Sequence, residues 1–182
     1  MNLTEFNTNY VIIAFAVVFS LLTILTVFFK RANRKHRYNR KKSLQILRKI
    51  NAFEFDGQRI NYLRKINPFI FEELLLDAFQ NNGYSVKRND RYTGDNGIDG
   101  IVSKDGVKFL VQAKRYTKHI NLKHLKDFNE LTIKMNCKGF FIHTGRTGKG
   151  TWNEERQMTN VSIVSGSKLL KLINTLNVRN EK

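Results

Sequence analysis

Three residues have the types and spacing for metal-assisted hydrolysis: Asp99, Gln112 and Lys114. A carboxylate and an amide oxygen can share one hard divalent cation, and a lysine overhanging that cation can orient or help deprotonate a water. For this the three must converge. Ile98 to Ser103 and Val107 to Lys114 read as strands, and Asp105-Gly106 between them is the dipeptide most typical of a two-residue hairpin turn. If Lys104 pairs with Val107, Asp99 falls directly across from Gln112, with Cβ atoms about 4.5 to 5.5 Å apart. Strand alternation then puts Gln112 and Lys114 on one side, and Val107, Phe109, Val111 and Ala113 in an apolar stripe on the other. A three-residue loop would instead set Asp99 against Val111 on the wrong face. A four-residue loop would keep the correct side with a diagonal offset.

A second carboxylate comes from upstream. Asn67-Pro68 signals a helix start and Gly83 its end. In that helix Phe69, Glu72, Leu75, Leu76 and Phe79 share a face, which makes Glu72 the inward acid. Glu73, Asp77 and Gln80 share another face, and Glu73 reads as a solvated surface charge. Asp95 in the polar loop before Asp99 reads as a turn former. Beyond the hairpin, Leu122 to Met135 has helical spacing and Gly139 to Thr144 is an apolar strand, the pattern of a right-handed crossover with parallel pairing. Trp152 to Thr159 is expected as a helix, Val161 to Val164 as a short strand, and Gly166 to Leu176 as a closing amphipathic helix.

Asp99 followed by Gln112-x-Lys114 resembles the PD-(D/E)xK nuclease core. With Phe71-Glu72 on a helix, Gly83-Tyr84, Gly94-Asp95-Asn96-Gly97-Ile98-Asp99-Gly100 and Gln112-Ala113-Lys114-Arg115, the text over about residues 67 to 176 is similar to the Mrr-like restriction endonuclease family. The resemblance implies an α/β, restriction-endonuclease-like three-layer core, a central mixed sheet flanked by helices. It also implies a Mg2+- or Mn2+-dependent endodeoxyribonuclease. Asp99 would be the main metal ligand, Gln112 a neutral second and the Ala113 carbonyl a third. Lys114 would serve the attacking water, and Glu72 would bind through water or help a second ion. Gln112 stands where most of the broad superfamily has Glu, a charge difference expected to weaken metal binding.

Arg115, Lys118, His119, Lys123 and Lys126 crowd the start of the crossover, a patch suited to a phosphate backbone. The loop GRTGKGT from Gly145 lacks the spacing of a phosphate-binding NTPase loop; in the family pattern Thr144, Arg146 and Lys149 are expected to contact DNA. A homodimer is a further assembly to test.

The chain has 182 residues, a net charge of +17 and a single proline, with 41% apolar content, enough for one core plus an appendage. Residues 62 to 182 hold 21 basic and 12 acidic residues, a net +9. Cys137 is the single cysteine, which excludes an internal disulfide and points to a reducing compartment; with four scattered histidines no zinc spacing exists.

Residues 10 to 29 form a run of twenty without a charge, about 30 Å as a helix and long enough to cross a bilayer. Neither a basic leader nor a small-residue cleavage pattern accompanies it, so an anchor is expected rather than a signal peptide. Lys30, Arg31, Arg34, Lys35, Arg37, Arg40, Lys41 and Lys42 follow at once. They predict a single-pass inner-membrane protein with residues 1 to 9 outside and the rest cytoplasmic, the basic run resting on anionic lipid. Residues 30 to 66 are read as juxtamembrane segment and connector. Within them Leu44, Ile46, Leu47 and Ile50 have helix-like spacing and Asp56-Gly57 reads as a turn. The connector either holds the domain off the membrane or packs onto it. Residues 177 to 182 form a tail. The competing functional readings are a non-catalytic, membrane-tethered DNA-binding protein, and a membrane protein with no nucleic-acid role.

Overall fold

The structure is a computed structural model that describes residues 3–89 and 97–174. The chain divides into two compact units, Met1–Tyr38 and Asn39–Lys182. Helix α1 (Leu3–Asn51) supplies the described part of the first unit and, from Asn39 on, part of the second.

In the first unit, Tyr10–Val27 is long and apolar enough to cross a membrane by length and composition. Its side chains lie bare: Phe15 is 73% and Phe19 70% exposed. The polar interruptions satisfy themselves, since the Thr23 and Thr26 hydroxyls each donate to a carbonyl one turn back, those of Ser20 and Thr23, at 2.8 Å. A helix placed in hydrocarbon must make its hydrogen bonds internally in this way.

The second unit is a five-stranded sheet in the order β1 (Ser85–Arg88), β2 (Gly100–Lys104), β3 (Val107–Lys114), β4 (Lys138–His143), β5 (Val161–Val164). The first three strands are antiparallel and the last two join in parallel. Helices α2 (Asp56–Lys65), α3 (Pro68–Asn81) and α6 (Gly166–Asn174) accompany one core, and α4 (Leu122–Lys134) the other; α5 (Lys149–Gln157) precedes β5. Asp105 and Gly106 both take positive φ, 51° and 76°, as a type I′ turn requires, and Lys104 pairs with Val107 as expected. The parallel β3-α4-β4 unit is likewise as the spacing predicts.

Strand alternation feeds both layers. Val102, Val111 and Ile142 enter the core with Leu74, Leu75, Leu169 and Ile173, whereas Leu110, Phe141 and Ile163 enter the other with Leu125 and Phe128. Coverage on both faces explains why β3 and β4 read as near-continuous apolar runs.

Two expectations change, and of the two readings of the connector the packed one holds. Asp56-Gly57 is not a turn but the first turn of α2. The connector is part of the core: Leu47, Ile50 and Leu63 are at most 2% exposed and cluster with Phe71 and Leu75, so packing begins upstream of residue 67. Glu73 is not a solvated charge. It is 1% exposed and, with Asp77, meets Arg88, at 3.0 and 2.6 Å respectively, while Asp77 also meets Arg40 at 2.9 Å. Helix α3 is buried without a break from Glu73 to Phe79, and Arg88 of β1 and Arg40 of α1 meet the acids on the side that its own periodicity marks as outer.

Candidate active site

The hairpin register brings the predicted residues together. Gly100 pairs with Val111 at the end of the ladder, and just beyond it the Asp99 amide donates to the Val111 carbonyl at 2.8 Å, which holds Asp99 beside Gln112 and Ala113 on β3. The Asp99 carboxylate is tied to β3 as well, accepting from the Ala113 amide at 2.6 Å. Ala113 thus positions the carboxylate through its N–H, in addition to the ligand role expected of its carbonyl.

Gln112 is 7% exposed. Its Nε2 donates to the Gly97 carbonyl at 2.9 Å, which fixes the amide orientation, and its Oε1 is buried with no hydrogen-bond partner among the described residues. A buried acceptor without a donor costs about 1 to 3 kcal/mol and is seldom left so without a reason. Gly97 is required for the arrangement: its φ is +80°, and a Cβ there would lie 2.6 Å from Gln112 Nε2. In the sequence Gly97 stands out only by its position two residues before a candidate ligand.

Burial pushes the Asp99 carboxyl up to about 6, with the Ala113 amide and the Lys114 charge pulling the other way. Glu72, on α3, rises further, to about 8, first through burial and then through the nearby Asp99 and Glu73 carboxylates, opposed by Lys114 and Arg115. The Asp99 and Lys114 charges both act on Glu72, which is partly exposed, less buried than its neighbour Glu73. The Asp99 and Glu72 carboxyls and the Gln112 amide oxygen are hard oxygen donors. That set fits a Mg2+ or Mn2+ ion. Among the described residues no three His, Cys, Asp or Glu side chains gather as a metal cluster, so an ion here would depend on Gln112 and backbone oxygen besides Asp99.

Lys114 is in register with His143 on β4. His143 is fully buried, and burial lowers its pKa to about 4; its Nε2 lies 3.4 Å from the Thr147 hydroxyl. Two residues beyond Lys114, the Tyr116 hydroxyl is 2.7 Å from His124 Nδ1. Neither pair was foreseen, since each joins elements that a single sequence does not connect.

The expected DNA-contacting residues divide. Lys118, Lys123 and Arg146 are exposed, and the backbone gathers two of them: the Arg146 amide donates to the Lys118 carbonyl at 2.8 Å. Lys123 also pairs with Asp127 at 2.8 Å. Arg115 is turned inward, its Nη1 donating to the carbonyls of Arg64 and Ile66, and so braces the α2–α3 junction. Thr144 is 1% exposed and donates to the Tyr116 carbonyl at 3.1 Å, so it is an internal tie and not a surface contact. The Lys149 side chain and Asp95 lie outside the described residues.

Comparison with known proteins agrees with this geometry. Residues 63–173 match the family model of the Mrr catalytic domain, described as restriction endonuclease. Over 119 residues the chain is 30% identical to the type IV methyl-directed restriction enzyme EcoKMrr of Escherichia coli (strain K12), covering 61% of this chain and 39% of that protein. Among solved structures it is similar to the MspJI restriction endonuclease in complex with a 27-mer oligonucleotide, with a TM-score of 0.50 and 20% identity, over 66% of this chain and 31% of the other. The chain therefore spans well under half the length of both relatives. A mixed sheet flanked by helices and a family match over most of the chain lead to one conclusion: this chain belongs to the Mrr-type restriction endonuclease family.

Proposed function

We propose that the protein is a membrane-anchored endonuclease that hydrolyses phosphodiester bonds in DNA with the help of a divalent metal ion. The observation that carries this reading is that the Asp99 carboxylate is tied to the Ala113 amide, next to Gln112, whose buried Oε1 has no hydrogen-bond partner among the described residues. Asp99, Gln112 Oε1 and the Ala113 carbonyl would hold the ion, with Glu72 acting through water. When bound, the ion would polarise a phosphoryl oxygen and stabilise charge developing at phosphorus. Asp99, pinned by the Ala113 amide, keeps its free oxygen directed without reorganisation. Lys114 holds a positive charge beside the two acids, where it would orient the attacking water and favour its deprotonated form. Lys118, Lys123 and Arg146 would neutralise backbone phosphates. Tyr10–Val27 and the basic run to Lys42 would place this activity at the cytoplasmic face of a membrane.

The test uses the full chain in detergent micelles with supercoiled plasmid that is methylated, unmethylated or carrying a branched structure. Nicking is expected with Mg2+ or Mn2+, lost with EDTA, and reduced at least a hundredfold by Asp99→Ala and by Lys114→Ala. Salt-sensitive DNA binding with no nicking on any substrate would instead support a non-catalytic tether that keeps the nuclease fold.

A further inference from the structure

A cavity of about 360 Å³ lies in the second unit, between α2 and α6 and apart from the Asp99 cluster. Arg64 and Arg146 give it a positive wall. Arg64 is held there: its Nε donates to the Thr144 carbonyl at 2.9 Å and its Nη1 to Asn61 Oδ1 at 2.7 Å, leaving Nη2 with no partner among the described residues. Arg146 is exposed and has no side-chain partner among them, yet its backbone is fixed by ladder bonds to Lys118 and Ile120. The single acid in the lining, Asp56, is engaged by Arg59 at 3.3 Å. Ile60 and Leu170 line the same space and offer an apolar surface.

Gly57 supplies an independent observation. It sits in the first turn of α2, needs no positive φ, and a Cβ added there would meet nothing within 4 Å. Glycine in a helix costs about 1 kcal/mol relative to alanine. Neither the backbone nor packing asks for it, and it borders the cavity. What its missing side chain does is leave that space open. Gly166, which also borders the cavity at the start of α6, likewise has nothing within 4 Å of an added Cβ. The first-turn amides of α6 add to the positive character of this end.

We propose that this cavity binds a nucleoside phosphate, with the phosphate on Arg64 and Arg146 and the sugar and base along Ile60 and Leu170. Guanidinium forks suit phosphate, and the volume falls in the range of small-molecule sites. The nucleotide comes either from a nucleic-acid strand or from solution; the strand source rests on the DNA reading above, whereas the site itself does not.

The experiment is calorimetric titration of the full chain in detergent micelles with adenosine 5′-monophosphate, with adenosine and orthophosphate as comparison arms. The monophosphate is expected to bind at least tenfold more tightly than either. Arg146→Ala and Gly57→Met should each weaken it at least tenfold, and Asp99→Ala should leave it unchanged. Gly57→Met alters no charge and favours the helix, so its effect reports occupancy of the space, with circular dichroism verifying the fold. The proposal is overturned if the monophosphate does not bind, if orthophosphate binds equally well, if neither cavity variant matters, or if Asp99→Ala abolishes binding. Displacement of the monophosphate by a single-stranded oligonucleotide assigns the site to a strand, and absence of displacement assigns it to a free nucleotide. Plasmid nicking lost in Asp99→Ala and kept in Gly57→Met separates this site from the hydrolytic one.

Discussion

Asp99 and Glu72 share a physical predicament at the scale of single residues: both sit where burial penalises the charge that their chemistry needs. Their carboxyls are raised from ordinary values of 3.8 and 4.5 to about 6 and about 8. A folded-state acid that binds its proton more tightly than the unfolded chain does contributes stability at low pH that is lost as pH rises through the folded pKa. For the metal-free protein these two groups therefore predict a melting temperature that falls between about pH 5 and pH 8, and most of that fall should vanish when millimolar Mg2+ replaces the protons. Thermal melts across this range, with and without the ion, measure it; an equal pH slope in both conditions would remove the ion from the site. Gly97 makes a sharper prediction. In Gly97→Ala a Cβ would press on Gln112 Nε2 at 2.6 Å from a backbone with φ of +80°, costing about 1 to 2 kcal/mol in backbone strain alone and turning the amide. Cleavage should fall at least tenfold while DNA affinity, measured by filter binding in Ca2+, stays within twofold.

Local rules reached only as far as an element's own periodicity, and α3 shows where they stopped. The β2-β3 hairpin was legible because Asp105-Gly106 dictates a two-residue turn, and one pairing then determines which face every side chain takes. Hence Asp99, Gln112 and Lys114 could be joined from sequence. Glu73 was not legible as buried, because the arginines that meet it and Asp77 belong to β1 and α1, and Arg40 stands 37 residues from its partner Asp77. A helical wheel contains no information about a partner that distant. The buried cluster Arg88, Glu73 and Asp77 now predicts that Arg88→Ala leaves two enclosed acids without a major cation, a loss of about 3 to 5 kcal/mol. Urea denaturation should show it as a lower midpoint. Lys123→Ala, which breaks only the exposed pair with Asp127, should cost no more than about 0.5 kcal/mol by the same measurement.

For the whole molecule, the question is why a hydrolytic domain should follow a helix whose apolar side chains are left bare. Residues Tyr10–Val27 bury nothing in the structure, although the second unit builds two complete cores of its own. Covering that helix with water would expose a continuous apolar surface far larger than soluble proteins tolerate, and its hydroxyls at Thr23 and Thr26 are already bonded within the helix. The eight Lys and Arg residues from Lys30 to Lys42 lie on one side of this run, against Glu5 as the charge preceding it. A lipid bilayer would account for both the bare surface and the charge asymmetry, and under the proposed anchoring the positive flank would put the Asp99 cluster in the compartment that holds cellular DNA. Expressed in a bacterium, the full chain should sediment with membranes and resist extraction by high salt and by carbonate at alkaline pH, yielding only to detergent. Replacing Ile13, Val17 and Leu21 together by lysine should release it into the soluble fraction, because each charge costs about 2.5 to 3.5 kcal/mol within the span. Protease added to intact spheroplasts should leave the nuclease domain whole. Digestion of that domain from outside, or release of the wild-type chain by salt alone, would remove the anchor and with it any reason to expect DNA cleavage confined to the membrane surface.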